Sequence, residues 1–439
     1  MEDTAELVSN AHDISRPESK SKLTIVSLAV IAGIALAAAI RVGYALVLPS
    51  TLTFDEPFYH DIARNLLSGR GFTFSSSAYY TSVPYQPTSF QEPLYPFFLA
   101  GIYAALGHES HVLARAVQAL LSTMTVGLIG LVANEVWGSK RAAIAILVGA
   151  VYPAFVYFTG LLMTETLFIF FLLTFMWTWV RATKSGSRWG WYFVSGCCFA
   201  LGCLTRGMLL WFLPVVLVLT LVVSRARPRR SQILACVFVL LGVLIPVMPW
   251  TVRNYAVQHA FVPITTKTGF TLYFYTFPSS NADFNNRWDV ISIPNLTGLS
   301  EIQREAKFRE LALRNIRDNP ALMVRYAWLK LLDLLDARLK KDLSGLSLIS
   351  MLAFYGVLMM ALVGTANAAR NRAFLPIHYL LWTLVMFHVA GAMIFTGGGK
   401  ARLPLEPALI ILASDGVVMV WTWIATSWRK RVQFAGDGS

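Results

Sequence analysis

About ten long apolar stretches, most of them close to the ~20 residues that cross a bilayer's hydrocarbon, constrain this chain more than any other feature. They run near 23–48, 112–136, 142–158, 163–180, 190–204, 207–223, 232–250, 343–364, 374–395 and 403–426. A further run, Pro93 to Leu106, is too short to span and reads as an interfacial or re-entrant helix. If it crossed fully, every later segment would change sides. Composition points the same way: at 56% hydrophobic and 14% charged residues, with a mean hydropathy of +0.56, the chain is too apolar for a soluble fold. The expected fold class is an all-α polytopic membrane protein with about ten transmembrane helices and an outer-face first loop carrying amphipathic helices.

Charge sets the expected sidedness. Arg16, Lys20 and Lys22 fall on one side with Lys140, Arg141, Arg181, Lys184, Arg188, Arg225, Arg227, Arg229, Arg230, Arg370, Arg372, Arg429, Lys430 and Arg431. The excess of basic residues makes that side cytoplasmic. The short loops of the other side hold only Arg206, Lys400 and Arg402. The chain then divides into a cytoplasmic tail (1–22), a transmembrane core (23–260) with its first outer loop (49–111), a long outer loop (261–342) with an amphipathic helix, C-terminal transmembrane helices (343–428) and a second cytoplasmic tail (429–439). The first apolar run is longer than a signal peptide's apolar region and suits a retained span.

The net charge of +13 is thus mostly topological, and no DNA- or RNA-binding signature accompanies it, so no nucleic-acid partner is expected. Cys197, Cys198, Cys203 and Cys236 lie inside expected spans without metal or redox spacing and read as packing residues. No internal repeat and no nucleotide-binding glycine loop is visible, which argues against an ATP-driven pump.

The unusual polar residues gather at one end of the expected spans. Asp55 and Glu56 follow the first span, Glu165 opens the fourth, and Arg206 lies between the fifth and sixth. Arg253 and Asn254 follow the seventh; Lys400 and Arg402 precede the last. Each also has an ordinary reading. An acid before Pro57 starts a helix as its N-cap, and Glu165 in a first turn is favoured by the helix dipole. Arg41, roughly 27 Å up its helix, and Arg115 can snorkel to headgroups. His60 suits an interfacial side chain better than a metal ligand. The ordinary readings do not account for carboxylates and guanidinium groups collecting on one face, among loops rich in Pro, Gly and aromatic residues.

That set suits glycosyl transfer from a lipid-linked sugar phosphate. The leaving phosphate already carries negative charge and needs cations, whereas the acceptor hydroxyl needs a carboxylate to take its proton. Glycoside hydrolysis differs, since its leaving alcohol must be protonated and two carboxylates share the work.

Asp55-Glu56 after the first span resembles the acidic motif in the first outer loop of GT-C type integral membrane glycosyltransferases. That class includes the protein O-mannosyltransferases, the aminoarabinose transferase of lipid A and the galacturonosyltransferases of lipopolysaccharide core. QEPLYPFFLA, TETL, LTRG, PWTVRN and GGGKARLPLEP follow in the same order, so the resemblance runs from about Arg41 to Pro407. It implies an inverting transfer from a polyprenyl phosphate sugar donor to a glycolipid, polysaccharide or protein acceptor, among the lipids of a bacterial inner or plasma membrane. Asp55 then looks like the catalytic base, with Glu56 as helper and Glu165 as a second acid facing the cavity. Arg206, Arg253, Lys400 and Arg402 are the candidates for the donor phosphate, and Tyr59, His60, Glu92 and Asn254 for other substrate contacts. Some relatives carry a basic residue where this chain has Glu92, so Glu92 is expected to meet acceptor or ion instead of phosphate. No cofactor is required by this reading. Asp55, Glu56, Glu92 and Glu165 would suit magnesium, manganese or calcium, but cationic side chains can do the same work.

In the long loop, Phe308, Leu311, Ala312 and Ile316 keep helical spacing among Arg304, Lys307, Arg309, Arg314 and Arg317. This reads as a basic amphipathic helix at the lipid surface or as an ordinary surface helix. A secondary transporter or flippase and a polytopic scaffold are the rival functions; transporters place polar residues on broken helices near the mid-plane of repeated halves.

Overall fold

The computed structural model describes residues 20–49, 51–76, 83–185, 188–278, 291–339, 345–371, 376–395 and 397–436. Among them the only β pairing is an isolated bridge, Thr73 to Pro87. Helices α1 (Lys20–Val47), α2 (Glu56–Leu67), α3 (Leu94–Leu106), α4 (His111–Trp137), α5 (Ser139–Val151), α6 (Pro153–Thr159), α7 (Thr164–Lys184) and α8 (Trp189–Thr205) form the first part. A 3-10 turn (Gly207–Phe212) leads into α9 (Leu213–Val223), then α10 (Arg229–Gln258), α11 (Thr268–Thr276), α12 (Glu301–Asp318), α13 (Pro320–Leu335), α14 (Gly345–Arg370), α15 (Pro376–Ile394), α16 (Gly399–Arg402) and α17 (Glu406–Gly436).

The chain is an all-α polytopic membrane protein. Among the described residues, seven helices are long and apolar enough to cross a bilayer, and the pair α5–α6, bent by 53°, makes an eighth if it is one span. The shorter apolar helices α8 and Gly207–Val223 occupy the two remaining expected spans. At 13 residues, α3 extends only ~20 Å, short of a ~30 Å hydrocarbon core.

Small residues let the helices meet. Gly196 of α8 and Gly242 of α10 face each other so closely that a Cβ on either would press on the other helix's backbone. Gly364 of α14 and Gly416 of α17 repeat the device. Without a hydrophobic force between helices in lipid, such close backbone contact is what drives their packing.

Arg41 does not snorkel. It is wholly buried, and its guanidinium donates to Ser122 Oγ at 2.9 Å, Ala150 O at 2.7 Å and Gly149 O at 2.8 Å. The cause lies in the α5–α6 break. Pro153 has no N–H to give the carbonyl of Gly149, four residues earlier, so Arg41 supplies the missing donor.

The polar side chains form two groups at opposite ends of the bundle. One holds Arg181 and Lys184 on Glu135, Arg141 on Asp415 at 2.6 Å, and Arg227 on the carbonyl of Thr183. The other holds the expected site residues. There α12, capped by Ser300 and Gln303, turns Phe308 and Ala312 onto Tyr273 of α11. Its apolar face is therefore covered by protein, as an ordinary surface helix requires.

Candidate active site

Asp55 occupies the N-cap position of α2, with Pro57 in the first turn, yet its side chain makes no capping hydrogen bond. Phe54 before it has a left-handed backbone (φ 53°), rare for a bulky residue. The Asp55 carboxylate, half-exposed, meets Lys400 instead: Lys400 Nζ donates to Oδ2 at 2.9 Å. Burial pushes the Asp55 carboxyl up, but the Lys400 ammonium, with Lys267 and Arg206 behind it, outweighs this and holds it below the usual carboxylate range.

Lys400 stands on α16, which Gly398 enters with φ 85°. Arg206 ties it to the neighbouring spans: Nη1 donates to Lys400 O at 3.1 Å and Nη2 to Glu165 Oε1 at 3.1 Å. Glu165 is buried in the first turn of α7, and the ring of Phe168 lies beneath the guanidinium. The next residue, Gly207, donates its N–H to Glu92 Oε1 at 3.3 Å. Glu92 Oε2 accepts from Lys267 Nζ at 2.9 Å, and Gln91 Oε1 accepts from the same ammonium at 3.0 Å. Burial raises the Glu92 carboxyl, and Lys267 more than reverses it. Three carboxylate–cation pairs, Asp55–Lys400, Glu165–Arg206 and Glu92–Lys267, are thus joined through the Lys400 carbonyl and the Gly207 N–H. Tyr59 lies under them, edge-on to Tyr95 at 5.1 Å; burial and the fields of Asp55, Glu92 and Glu165 push its phenol far above its ordinary value.

The other expected residues lie apart. Glu56 is fully buried and saturated: Oε1 accepts from Leu162 N at 2.7 Å and Arg115 Nη2 at 3.4 Å, and Oε2 from Thr53 N at 2.6 Å and Thr53 Oγ1 at 2.8 Å. Arg115, also buried, closes the turn through the carbonyls of Pro49 and Thr51, so it too does not snorkel. Arg253 donates to Thr88 O at 2.6 Å and stacks on Trp250, while Asn254 accepts from Ser89 Oγ and donates to Val262 O and Ile264 O. Both fasten loops. Arg402 is buried against Glu406 Oε1 at 2.6 Å and Asp336 O. His60 meets Tyr103 Oη at 3.1 Å and lies edge-on to His111, on the far side of α2.

Two residues were not legible as site residues. Lys267 lies in PITTKTG, a stretch without periodicity or motif. Glu301, in the first turn of α12, accepts from Thr88 Oγ1, Ser89 N and Thr266 Oγ1 and so clamps the first loop to the segment bearing Lys267. Burial raises its carboxyl despite those donors.

Asp55, Glu56, Glu92 and Glu165 do not converge as a hard-oxygen ligand set: Glu56 faces Arg115, and each of the others has its own cation. Among the described residues no group of three or more His, Cys, Asp or Glu is placed to hold a metal ion.

Residues 91–252 match the family described as dolichyl-phosphate-mannose-protein mannosyltransferase. A search among curated proteins returned no match. Among solved structures, the chain is similar to the Archaeoglobus fulgidus oligosaccharyltransferase tethered with an acceptor peptide containing the NVT sequon, at TM-score 0.60 and 13% identity over 93% of this chain and 51% of that one. The same archaeal protein, AglB, in complex with an inhibitory peptide and a dolichol-phosphate gives TM-score 0.59 and 13% identity over 94% and 52%. ArnT from Cupriavidus metallidurans bound to undecaprenyl phosphate is a more distant likeness, at TM-score 0.40 and 13% identity over 91% and 78%. The chain spans about half the length of the archaeal structures it matches. The matched segment and the shared fold bear out the resemblance, and the fold is that of the GT-C type integral membrane glycosyltransferases.

Proposed function

We propose that this protein transfers a sugar, with inversion, from a polyprenyl phosphate donor to a hydroxyl of a glycolipid, polysaccharide or protein acceptor at the outer face of a bacterial plasma membrane. The observation that carries the reading is the half-exposed Asp55 carboxylate held against Lys400 and backed by Arg206. The match of 91–252 to a family named for a dolichyl phosphate donor, and the fold shared with an oligosaccharyltransferase that binds dolichol-phosphate, support a polyprenyl phosphate. The basic side chains collected at the opposite end of the bundle support the outer face and cytoplasmic termini.

In this mechanism the donor phosphate sits against Lys400 and Arg206, drawing Lys400 from Asp55. The Asp55 carboxylate takes the acceptor O–H proton as that oxygen bonds to the anomeric carbon. The bond from that carbon to the phosphate oxygen breaks, and its electron pair stays on the phosphate, where the cations stabilise the added charge. Glu165 fixes the Arg206 guanidinium.

The test compares polyprenyl phosphate sugars, by mass spectrometry, in membranes of cells lacking the protein and cells carrying wild type or Asp55→Asn. A sugar lipid that accumulates in both the deletion and the variant names the donor. A variant that clears the lipid as wild type does removes Asp55 as base.

A further inference from the structure

The Glu92–Lys267 pair is left unused by the transfer just described, and its construction is that of an aimed cation. The segment bearing Lys267 is bolted in place: Trp250 Nε1 donates to Ile264 O at 2.8 Å, Thr266 N donates to Ser89 O at 3.0 Å, and Glu301 accepts from Thr266 Oγ1 at 2.5 Å. Gly207 leaves room for it, since a Cβ there would come within 3.2 Å of Thr265 Cγ2. On this base Glu92 and Gln91 take two of the three protons of the Lys267 ammonium. The third is unassigned, and 29% of the side chain remains open to solvent.

The setting gives that proton a use. Glu92 also accepts from the N–H of Gly207, next to Arg206, which contacts Lys400. Lys267 therefore belongs to the same contiguous set as the two cations already assigned to the phosphate, and its field reaches Asp55. A donor phosphodiester carries one negative charge; the polyprenyl phosphate monoester released by transfer carries up to two, its second ionisation lying near pH 6. A third cation acts on the charge that appears as the bond breaks.

We propose that Lys267, aimed by Glu92 and Gln91, is a third cation for the lipid phosphate, and that Glu92 is a positioning residue and not a contact for acceptor or metal. This rests on the polyprenyl phosphate reading above.

The experiment uses the full chain purified in nanodiscs and titrates it with undecaprenyl phosphate, following the thermal midpoint; undecaprenol controls for the tail. The variant is Glu92→Gln/Lys267→Met, which removes both charges together and leaves no buried carboxylate unpaired. It should melt near wild type without ligand and bind undecaprenyl phosphate about tenfold or more weakly, the loss of one charge-assisted hydrogen bond. Lys267→Arg, which keeps the charge, should stay within about threefold of wild type on the same scale. Wild-type affinity in the double variant, or an equal loss in Lys267→Arg, would show the pair to be a structural staple only. The measurement on Asp55→Asn separates the two levels: that variant should bind the lipid while failing in transfer. If wild type binds undecaprenyl phosphate no better than undecaprenol, the donor class falls and this assignment with it.

Discussion

Lys400 Nζ reaches Asp55 Oδ2 at 2.9 Å across 345 positions of sequence, joining the first loop to the head of the last span. The contact does two things at once. It keeps Asp55 ionised, and it sets a cation beside it where the proposed transfer calls for one to meet the donor phosphate.

Asp55 is held below the usual carboxylate range, so it is deprotonated, and competent as a base, at every pH above that depressed value. Transfer should therefore decline only as the pH falls beneath the ordinary carboxylate range. Burial is the largest influence on Asp55 and it pushes upward; Lys400 is what reverses it. In Lys400→Met the acid limb should move to higher pH, and the donor KM should rise. A pH profile of kcat/KM for the donor, which reports the free protein with Lys400 still on Asp55, checks this. An unmoved limb would mean that Asp55 is not the titrating base.

Arg115 and Glu56 form a buried pair, 3% and 0% exposed, at the base of the loop that presents Asp55. Arg115→Leu leaves a buried carboxylate without a counter-charge and should destabilise the protein by about 3–5 kcal/mol. Arg115→Leu/Glu56→Gln should recover part of that, since a glutamine oxygen still accepts the Leu162 N–H. Denaturation in detergent measures both. Equal stability of the single variant and wild type would exclude the pair as the loop's anchor.

The spans were legible because bilayer thickness imposes a length that apolar runs either meet or miss. Even the doubtful run Pro93 to Leu106 had its cause in length. The carboxylates were less so. Asp55 and Glu56 are neighbours in sequence, but successive residues at a helix start diverge by ~100°, and here they serve different partners. Nothing local separates the half-exposed acid from the buried, structural one. Arg41 and Arg115 misled for a related reason: counting along a helix gives height but not facing, and their partners are carbonyls freed by Pro153 and by the turn at Pro49. Lys267 was invisible because its role depends wholly on where Glu92 and Ser89 stand.

The crossing of α8 and α10 should be intolerant of side chains. A Cβ on Gly196 lies within 2.9 Å of Gly242 Cα, and backbone cannot yield as a flexible side chain would. Gly196→Val should cost at least the ~1–3 kcal/mol typical of overpacking. Gly356, in α14, has nothing within 4 Å, and Gly356→Ala should be neutral or slightly stabilising. Thermal midpoints of the two variants check the contrast, and similar values for both would mean that the helices do not cross at these glycines.

Arg41 offers the last test, because its role follows from one missing N–H. The carbonyls of Gly149 and Ala150 lose helical partners at the α5–α6 break, and Arg41 satisfies both while also donating to Ser122 Oγ. Arg41→Leu should strand those acceptors in the bundle, each costing about 1–3 kcal/mol. Arg41→Lys offers one compact ammonium in place of a planar fork and should fall between wild type and leucine. Pairing Arg41→Leu with Pro153→Ala supplies the absent N–H from the chain itself, so the double variant should be more stable than Arg41→Leu alone. Additive losses in the two variants would break the link between the arginine and the proline.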